Sequence, residues 1–223
     1  MSERSNAIPA NDASSDPGAT AAPDDKTAEI RAQIVAAARA RFSHFGYGKT
    51  TMSEIAEDCK MSTGNLYRFF DSKLDIAEAV VNAIRTEQID RLREIARDAA
   101  QAPGDRLRGF LQSKLALAYE RFHGNPKAFE LAQNLMSNRA ELAEIWERRE
   151  AALIAEILSA LNAELGSAID DVVRMARVIQ DATFRFTSTA VYYEGALEPL
   201  QCELDDIIAI FLDAFAHRAS RPR

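Results

Sequence analysis

From Thr27 to the end of the chain, apolar residues recur at intervals of three and four, and no segment alternates apolar and polar residues between turn signals. That regularity constrains the fold more than any other feature. A period near 3.6 fits one face of an α-helix, whereas a half-buried strand needs a period of 2. The expected fold class is all-α, without strands. Ile30, Ile34, Ala37, Ala38 and Phe42 form a first helical stripe that ends at Phe45-Gly46-Tyr47-Gly48. Two short helices follow, and a long one starts at Ser72, helped by Asp75, and runs to about Ala100. Later helices are expected to about Phe122, from Asn125-Pro126, from about Arg139 to Leu165, from about Asp170 to Tyr193, and from Pro199 to Arg218.

Composition narrows the function. The chain has 223 residues, 47% of them apolar and 27% charged, which is enough to build a core. No charge-free run exceeds eight residues, so no membrane partner is expected. Cys59 and Cys202 are the only cysteines, which excludes a disulfide scaffold or a four-cysteine zinc site. Residues 1–26 carry almost no large apolar side chains and no signal-peptide pattern, so they read as an acidic disordered tail on a cytoplasmic protein. The net charge of −7 argues against a nucleic-acid partner until it is divided along the chain. Residues 1–26 hold −3, residues 27–73 hold +2, and residues 74–223 hold −6. The only net-positive block is a short one near the N-terminus.

That block contains a constellation. Thr51-Met-Ser-Glu54 is a capping box that starts one short helix, and a second begins after Ser62. Thr51–Cys59 and Ser62–Phe69 therefore make a helix-turn-helix, whose first helix braces DNA backbone while the second enters the major groove. Lys49, Thr50, Thr51, Tyr67 and Lys73 supply the cations, hydroxyls and amides that phosphates need around helix starts. Base reading falls to Thr63, Gly64 and Asn65, with Arg68 one turn on, because Asn pairs bidentately with adenine and a threonine methyl meets thymine's.

Residues 28–81 resemble the N-terminal domain of the tetracycline-repressor (TetR) family of bacterial regulators. The stretch Phe42-Ser-His-Phe-Gly46-Tyr-Gly-Lys-Thr50-Thr51-Met-Ser-Glu-Ile55-Ala56 carries the resemblance. So does Ser62-Thr-Gly-Asn-Leu66-Tyr67-Arg-Phe-Phe70-Asp-Ser-Lys73-Leu74. It implies a domain over 27–73 whose core is Ile55, Ala56, Leu66 and Phe70, with Tyr67 and Lys73 on phosphate and Thr63, Gly64, Asn65 and Arg68 facing bases. One departure is the turn: a small residue then glycine is usual, and here Cys59-Lys60 stands there. A left-handed Lys60 would cost on the order of 1 kcal/mol.

For residues 74–223 the resemblance implies a domain that binds a small molecule and dimerises through its last two helices. One expected dimer stripe is Val172, Ala176, Ile179, Thr183, Phe186 and Ala190; the other is Ile207, Ile208, Phe211, Leu212 and Phe215. Phe110, Tyr119, Phe122, Phe129, Gln133, Trp146, Phe184 and Tyr192 read as a greasy pocket with His123 or Gln133 as polar anchor. Arg185 pairs with Asp181 or, failing that, meets an anionic guest. Cys59 reads as a packing residue before a redox switch, and Trp146 equally as a core anchor. The expected function is a ligand-responsive transcription regulator, a repressor released from double-stranded operator DNA by a hydrophobic or aromatic effector. No cofactor and no enzymatic activity are expected. Two alternatives remain: a DNA-binding protein without inducer, and a helical-bundle metalloenzyme suggested by the Glu-x-x-His spacing of Glu120 and His123.

Overall fold

The computed structural model describes residues 25–187 and 196–220. Its described residues form helices α1 (Asp25–Phe45), α2 (Met52–Asp58), α3 (Thr63–Leu66), α4 (Lys73–Ala96), α5 (Pro103–Gly124), α6 (Pro126–Asn138), α7 (Ala140–Glu164), α8 (Val172–Ala182) and α9 (Leu197–Ala219). A short 3₁₀ turn, Phe184–Thr187, follows α8. The chain is all-α. Helix α1 starts at Asp25, inside the segment assigned to the tail, because Asp25 places a carboxylate in the first turn against the helix dipole.

Local chemistry sets most boundaries. The Ser72 hydroxyl accepts from the Asp75 amide and caps α4, and the Asn125 side chain accepts from the Ala128 amide ahead of Pro126. Helix α7 ends with the Ser167 amide donating to the Asn162 carbonyl at 2.9 Å while Gly166 takes φ +67°.

Helices α1 to α3 close a small core. Ile34, Ala38, Phe42, Ile55, Ala56, Leu66 and Phe70 are all buried there. Arg41 reaches from α1 to clasp Asp58 of α2, one nitrogen lying 2.9 Å from its oxygen, and Arg31 lies over the Phe70 ring at 4.1 Å. Helix α4 belongs to both halves, since it packs on α1 and also on α5 and α7. The second half is built on α4, α5 and α7. Helix α6 bridges back to α1, and α9 lies along α5, fixed by Arg108–Asp205 at 2.7 Å.

Two expectations about the C-terminal helices are corrected. Helix α8 does not continue to Tyr193. The Thr183 hydroxyl donates back to the Ile179 carbonyl at 2.8 Å, α8 ends, and the chain tightens so that Phe186 turns inward. Further, most of the two stripes assigned to a dimer are spent inside the chain. Ala176, Ile179, Thr183 and Phe186 are buried in its own core, as are Ile208 and Phe215. Val172, Ile207, Phe211 and Leu212 are partly buried against that core. What α8, the 3₁₀ turn and α9 leave outward is Val173, Val178, Phe184 and Ile210, exposed by 57%, 39%, 62% and 68%. Ala190 lies outside the described residues.

Candidate functional site

The helix-turn-helix is assembled as two capped turns around a tight corner. The Thr51 hydroxyl accepts from the Glu54 amide at 3.3 Å, and the Glu54 carboxylate accepts from the Thr51 amide at 2.8 Å. These bonds hold the Glu54 carboxyl below its ordinary value, and Arg41 lowers it further. The Lys60 amide donates to the Glu57 carbonyl and the Met61 amide to Ala56, which is the closing pattern of a helix that normally wants glycine at the first position. Lys60 occupies that position at φ +54°, as the sequence departure implied. Ser62 then caps α3 by accepting from the Asn65 amide at 3.2 Å. Regular helix covers only Thr63–Leu66, and single turns carry the chain on to Phe70.

The expected DNA-contacting residues divide into two groups. Lys49, Gly64, Tyr67 and Arg68 are exposed, and the side chains of Lys49, Tyr67 and Arg68 have no polar partner among the described residues. A Cβ added at Gly64 would meet no heavy atom within 4 Å, so nothing in this chain requires glycine there. Tyr67 stands 49% exposed at the end of α3, an orientation the small core does not need.

The second group is already engaged. Thr50 is buried, and its hydroxyl donates to the Gly46 carbonyl at 3.0 Å, so its side chain holds the α1–α2 turn and is not available to phosphate. The Lys73 ammonium donates to the Tyr47 and Thr50 carbonyls at 2.9 and 2.8 Å and lies over the Tyr47 ring. This corrects its expected role. Two of its three N–H groups brace the loop before α2, and one remains. Thr51 spends its hydroxyl on the cap, the Thr63 hydroxyl lies 3.4 Å from Ser53 of α2, and the Asn65 amide nitrogen lies 4.0 Å from the Met61 sulfur. Lys60 adds an exposed cation at the corner that sequence reasoning treated only as a backbone problem. Burial, and then Asp58, push the Cys59 thiol up, so it is a poor nucleophile.

The residues assigned to an effector pocket scatter. Phe110 of α5 and Trp146 of α7 are buried in the core, where α5 and α7 pack on each other and on α4, and neither lines an inner cavity beside α4. Tyr119, Phe122, His123 and Phe129 stack in sequence on the outer corner of α5 and α6, with Phe122 and Phe129 rings 5.1 Å apart. Gln133 shares a surface depression with Phe122, His123 and Phe129. Phe184 reaches the edge of a different cavity, and Tyr192 lies outside the described residues. Arg185 is exposed and pairs with Glu203 of α9 at 2.8 Å, a partner too far along the chain for helical spacing to suggest, and not with Asp181.

Glu120 and His123 diverge: Glu120 lines an inner cavity and His123 the outer depression. Among the described residues, no three His, Cys, Asp or Glu side chains gather where a metal could bind.

Two inner cavities flank α4, and sequence patterning found neither. One, of about 360 Å³, lies between α1, α4, α5 and α6. The other, of about 320 Å³, lies between α4, α5, α7 and α8. They share Arg85, Gln88, Leu117 and Arg121 as a common wall. The second holds the buried Glu150, which Lys114 approaches to 2.7 Å and Arg85 to 3.8 Å. No described helix is long and apolar enough to cross a membrane.

A capped helix pair with an exposed face, mounted on a larger helical domain, has the arrangement of a helix-turn-helix domain. Residues 34–80 match the family described as bacterial regulatory proteins, tetR family. The chain is 29% identical over 136 residues to the HTH-type transcriptional regulator HbdR of an Aromatoleum species, covering 60% of this chain and 58% of that protein. It is 30% identical over 132 residues to an HTH-type transcriptional repressor of Mycobacterium tuberculosis, covering 59% and 64%. The chain thus spans less than two thirds of the length of these curated relatives. A TetR-family regulator of Pectobacterium atrosepticum superposes with a TM-score of 0.65 over 89% of this chain and 98% of that one, at 21% identity. The N-terminal domain of the chain thus matches the tetR family over residues 34–80, and the chain as a whole shares the fold of that TetR-family structure.

Proposed function

We propose that the protein is a homodimeric repressor of transcription that leaves its operator when a mainly apolar small molecule occupies the space beside α4. The observation that carries this reading is the unused face of α3. Lys49, Gly64, Tyr67 and Arg68 stand exposed and unpartnered around a helix whose core residues need none of them. The repressor named among the relatives supports the sign of the regulation. Dimerisation is supported by the outward Val173, Val178, Phe184 and Ile210, side chains that water should not otherwise meet in such number on adjoining C-terminal elements. Such a dimer would present two copies of α3 to half-sites about one helical turn, ~34 Å, apart.

Footprinting on duplexes selected from random sequence tests the reading. Two protected half-sites about 10 base pairs apart are expected. Protection of a single half-site, or affinity independent of sequence, would contradict it. The joint change Val173→Asp and Ile210→Asp should give folded monomers by sedimentation, since two unpaired charges in an apolar contact cost several kcal/mol.

A further inference from the structure

Gly46, Lys60, Gly166 and Ser167 are the described residues with left-handed backbone. Two of these positions hold glycine, the residue that adopts such angles without strain. Lys60 is not free of it: at φ +54° its Cβ crowds the carbonyl, and the strain falls at the corner between α2 and α3. The backbone has no need of a lysine there. The bonds from the Lys60 amide to the Glu57 carbonyl and from the Met61 amide to the Ala56 carbonyl would close equally well on glycine. Packing has no need of it either, since Cys59 and Met61 pack against the core while Lys60 stays exposed between them. Nor does a carboxylate hold it. Arg41 takes Asp58 at 2.9 Å, Glu54 serves the Thr51 cap, and Lys60 has no ion-pair partner among the described residues. A strained residue that backbone, core and ion pairs all leave unused points to a role outside the chain.

The corner adjoins the residues expected to read bases. Lys60 precedes the Ser62 cap by two residues, which keeps their Cα atoms within about 7.6 Å. Its neighbour Met61 carries the sulfur that lies 4.0 Å from the Asn65 amide nitrogen, and the Thr63 hydroxyl lies 3.4 Å from Ser53 of α2. We propose that Lys60 is a further DNA contact, its ammonium set on a backbone phosphate at the edge of the groove that α3 enters. This contact rests on the reading of the protein as a DNA-binding regulator, and it falls at a position where the family resemblance implies glycine. Phosphate is the partner because Lys60 stands outside the helix that carries the base-reading side chains, and its flexible point charge suits an anionic oxygen. Neutralising a phosphate releases counterions, so the contact is independent of sequence and weakens with salt. The corner then holds a lysine against its conformational preference because the charge is used.

Anisotropy titrations of the full chain, on a selected duplex and on a scrambled one of equal length, test the contact at about 50 and 200 mM salt. Lys60→Gly removes charge and strain together, Lys60→Gln removes the charge alone, and Lys60→Arg keeps both. The Gly and Gln variants should lose affinity on both duplexes by a similar factor, about threefold or more at the lower salt. The slope of log affinity against log salt should become shallower by about 1. Lys60→Arg should stay within about twofold of the parent, since it carries the same charge. Thermal melts separate this from a structural role: Lys60→Gly should melt no lower than the parent while its affinity falls. Should the glycine loosen the corner, Lys60→Gln keeps the test decisive. Unaltered affinity and salt slope in either folded neutral variant would overturn the proposal. A loss confined to the selected duplex would overturn it too, as would an equal loss in Lys60→Arg. Failure of the parent chain to bind either duplex would overturn the regulatory reading and the contact with it, whereas parent binding with unaltered variants overturns the contact alone.

Discussion

At the scale of single residues, the structure separates side chains that build the helix-turn-helix from side chains it leaves exposed and unengaged. Lys73 braces two carbonyls of the loop before α2, so Lys73→Ala should lower the melting temperature as well as DNA affinity. Arg68→Ala should lower affinity alone, because Arg68 has no partner among the described residues to lose. Thermal melts beside anisotropy titrations distinguish the two, and an unshifted melt for Lys73→Ala would return it to the phosphate-binding group. Lys60 at φ +54° makes a second case. Lys60→Gly should stabilise the chain by up to about 1 kcal/mol in urea unfolding, relief of the left-handed strain outweighing the added freedom of the unfolded chain. Destabilisation would show that the lysine side chain contributes something its backbone hides. Sequence made Lys60 visible because a missing glycine is conspicuous. It could not show that Thr50 is buried or that Lys73 is occupied, since both facts depend on how α4 returns against the α1–α2 turn.

At the scale of helices, caps were legible and faces were less so. The Thr51–Glu54 box, the Ser72 cap and the Asn125-Pro126 start are local chemistry, readable three residues at a time. Helix α8 shows the limit. Its stripe of Val172, Ala176, Ile179 and Thr183 announces an amphipathic helix but does not say whether the apolar side meets its own chain or a second copy. The own chain takes Ala176, Ile179, Thr183 and Phe186, so Phe186→Asp should unfold the C-terminal half rather than merely split a dimer. Circular dichroism of that variant checks the correction, and a folded monomer would reverse it. Acid should act first on α2. The Glu54 carboxyl lies below its ordinary value through the Thr51 bonds, and Asp58 does so through Arg41. Their contribution is therefore complete above the ordinary carboxylate range and is lost as pH falls through the lowered folded values. Hydrogen exchange of α2 amides should quicken on acidification before α5 and α7 change, and Glu54→Gln should blunt the effect. Simultaneous loss everywhere would show that the cap is not where acid enters.

At the scale of the whole molecule, the proposed DNA binding by an acidic chain depends on how its charge is divided. The block at residues 27–73 is the net-positive one, and the exposed side chains of Lys49, Tyr67 and Arg68 stand around α3 there, while the surplus of carboxylates belongs to the larger half. Which side chains make the cavities was not legible from sequence, because Phe42 of α1 and Leu131 of α6 become neighbours only through the long-range packing of α6 on α1. The reading head itself was legible, since its residues lie within a short run of chain. Under the proposed function the exposed face around α3 lies against DNA, and Gly64 tests this with least disturbance. Gly64→Ala meets no atom of the described residues within 4 Å and improves helix propensity, so the fold has no reason to suffer. Fluorescence anisotropy on a selected duplex, at fixed salt, should show affinity falling by about tenfold or more while the melting temperature holds or rises. Undiminished affinity of a fully folded Gly64→Ala protein would contradict the account, because α3 would then not lie against DNA.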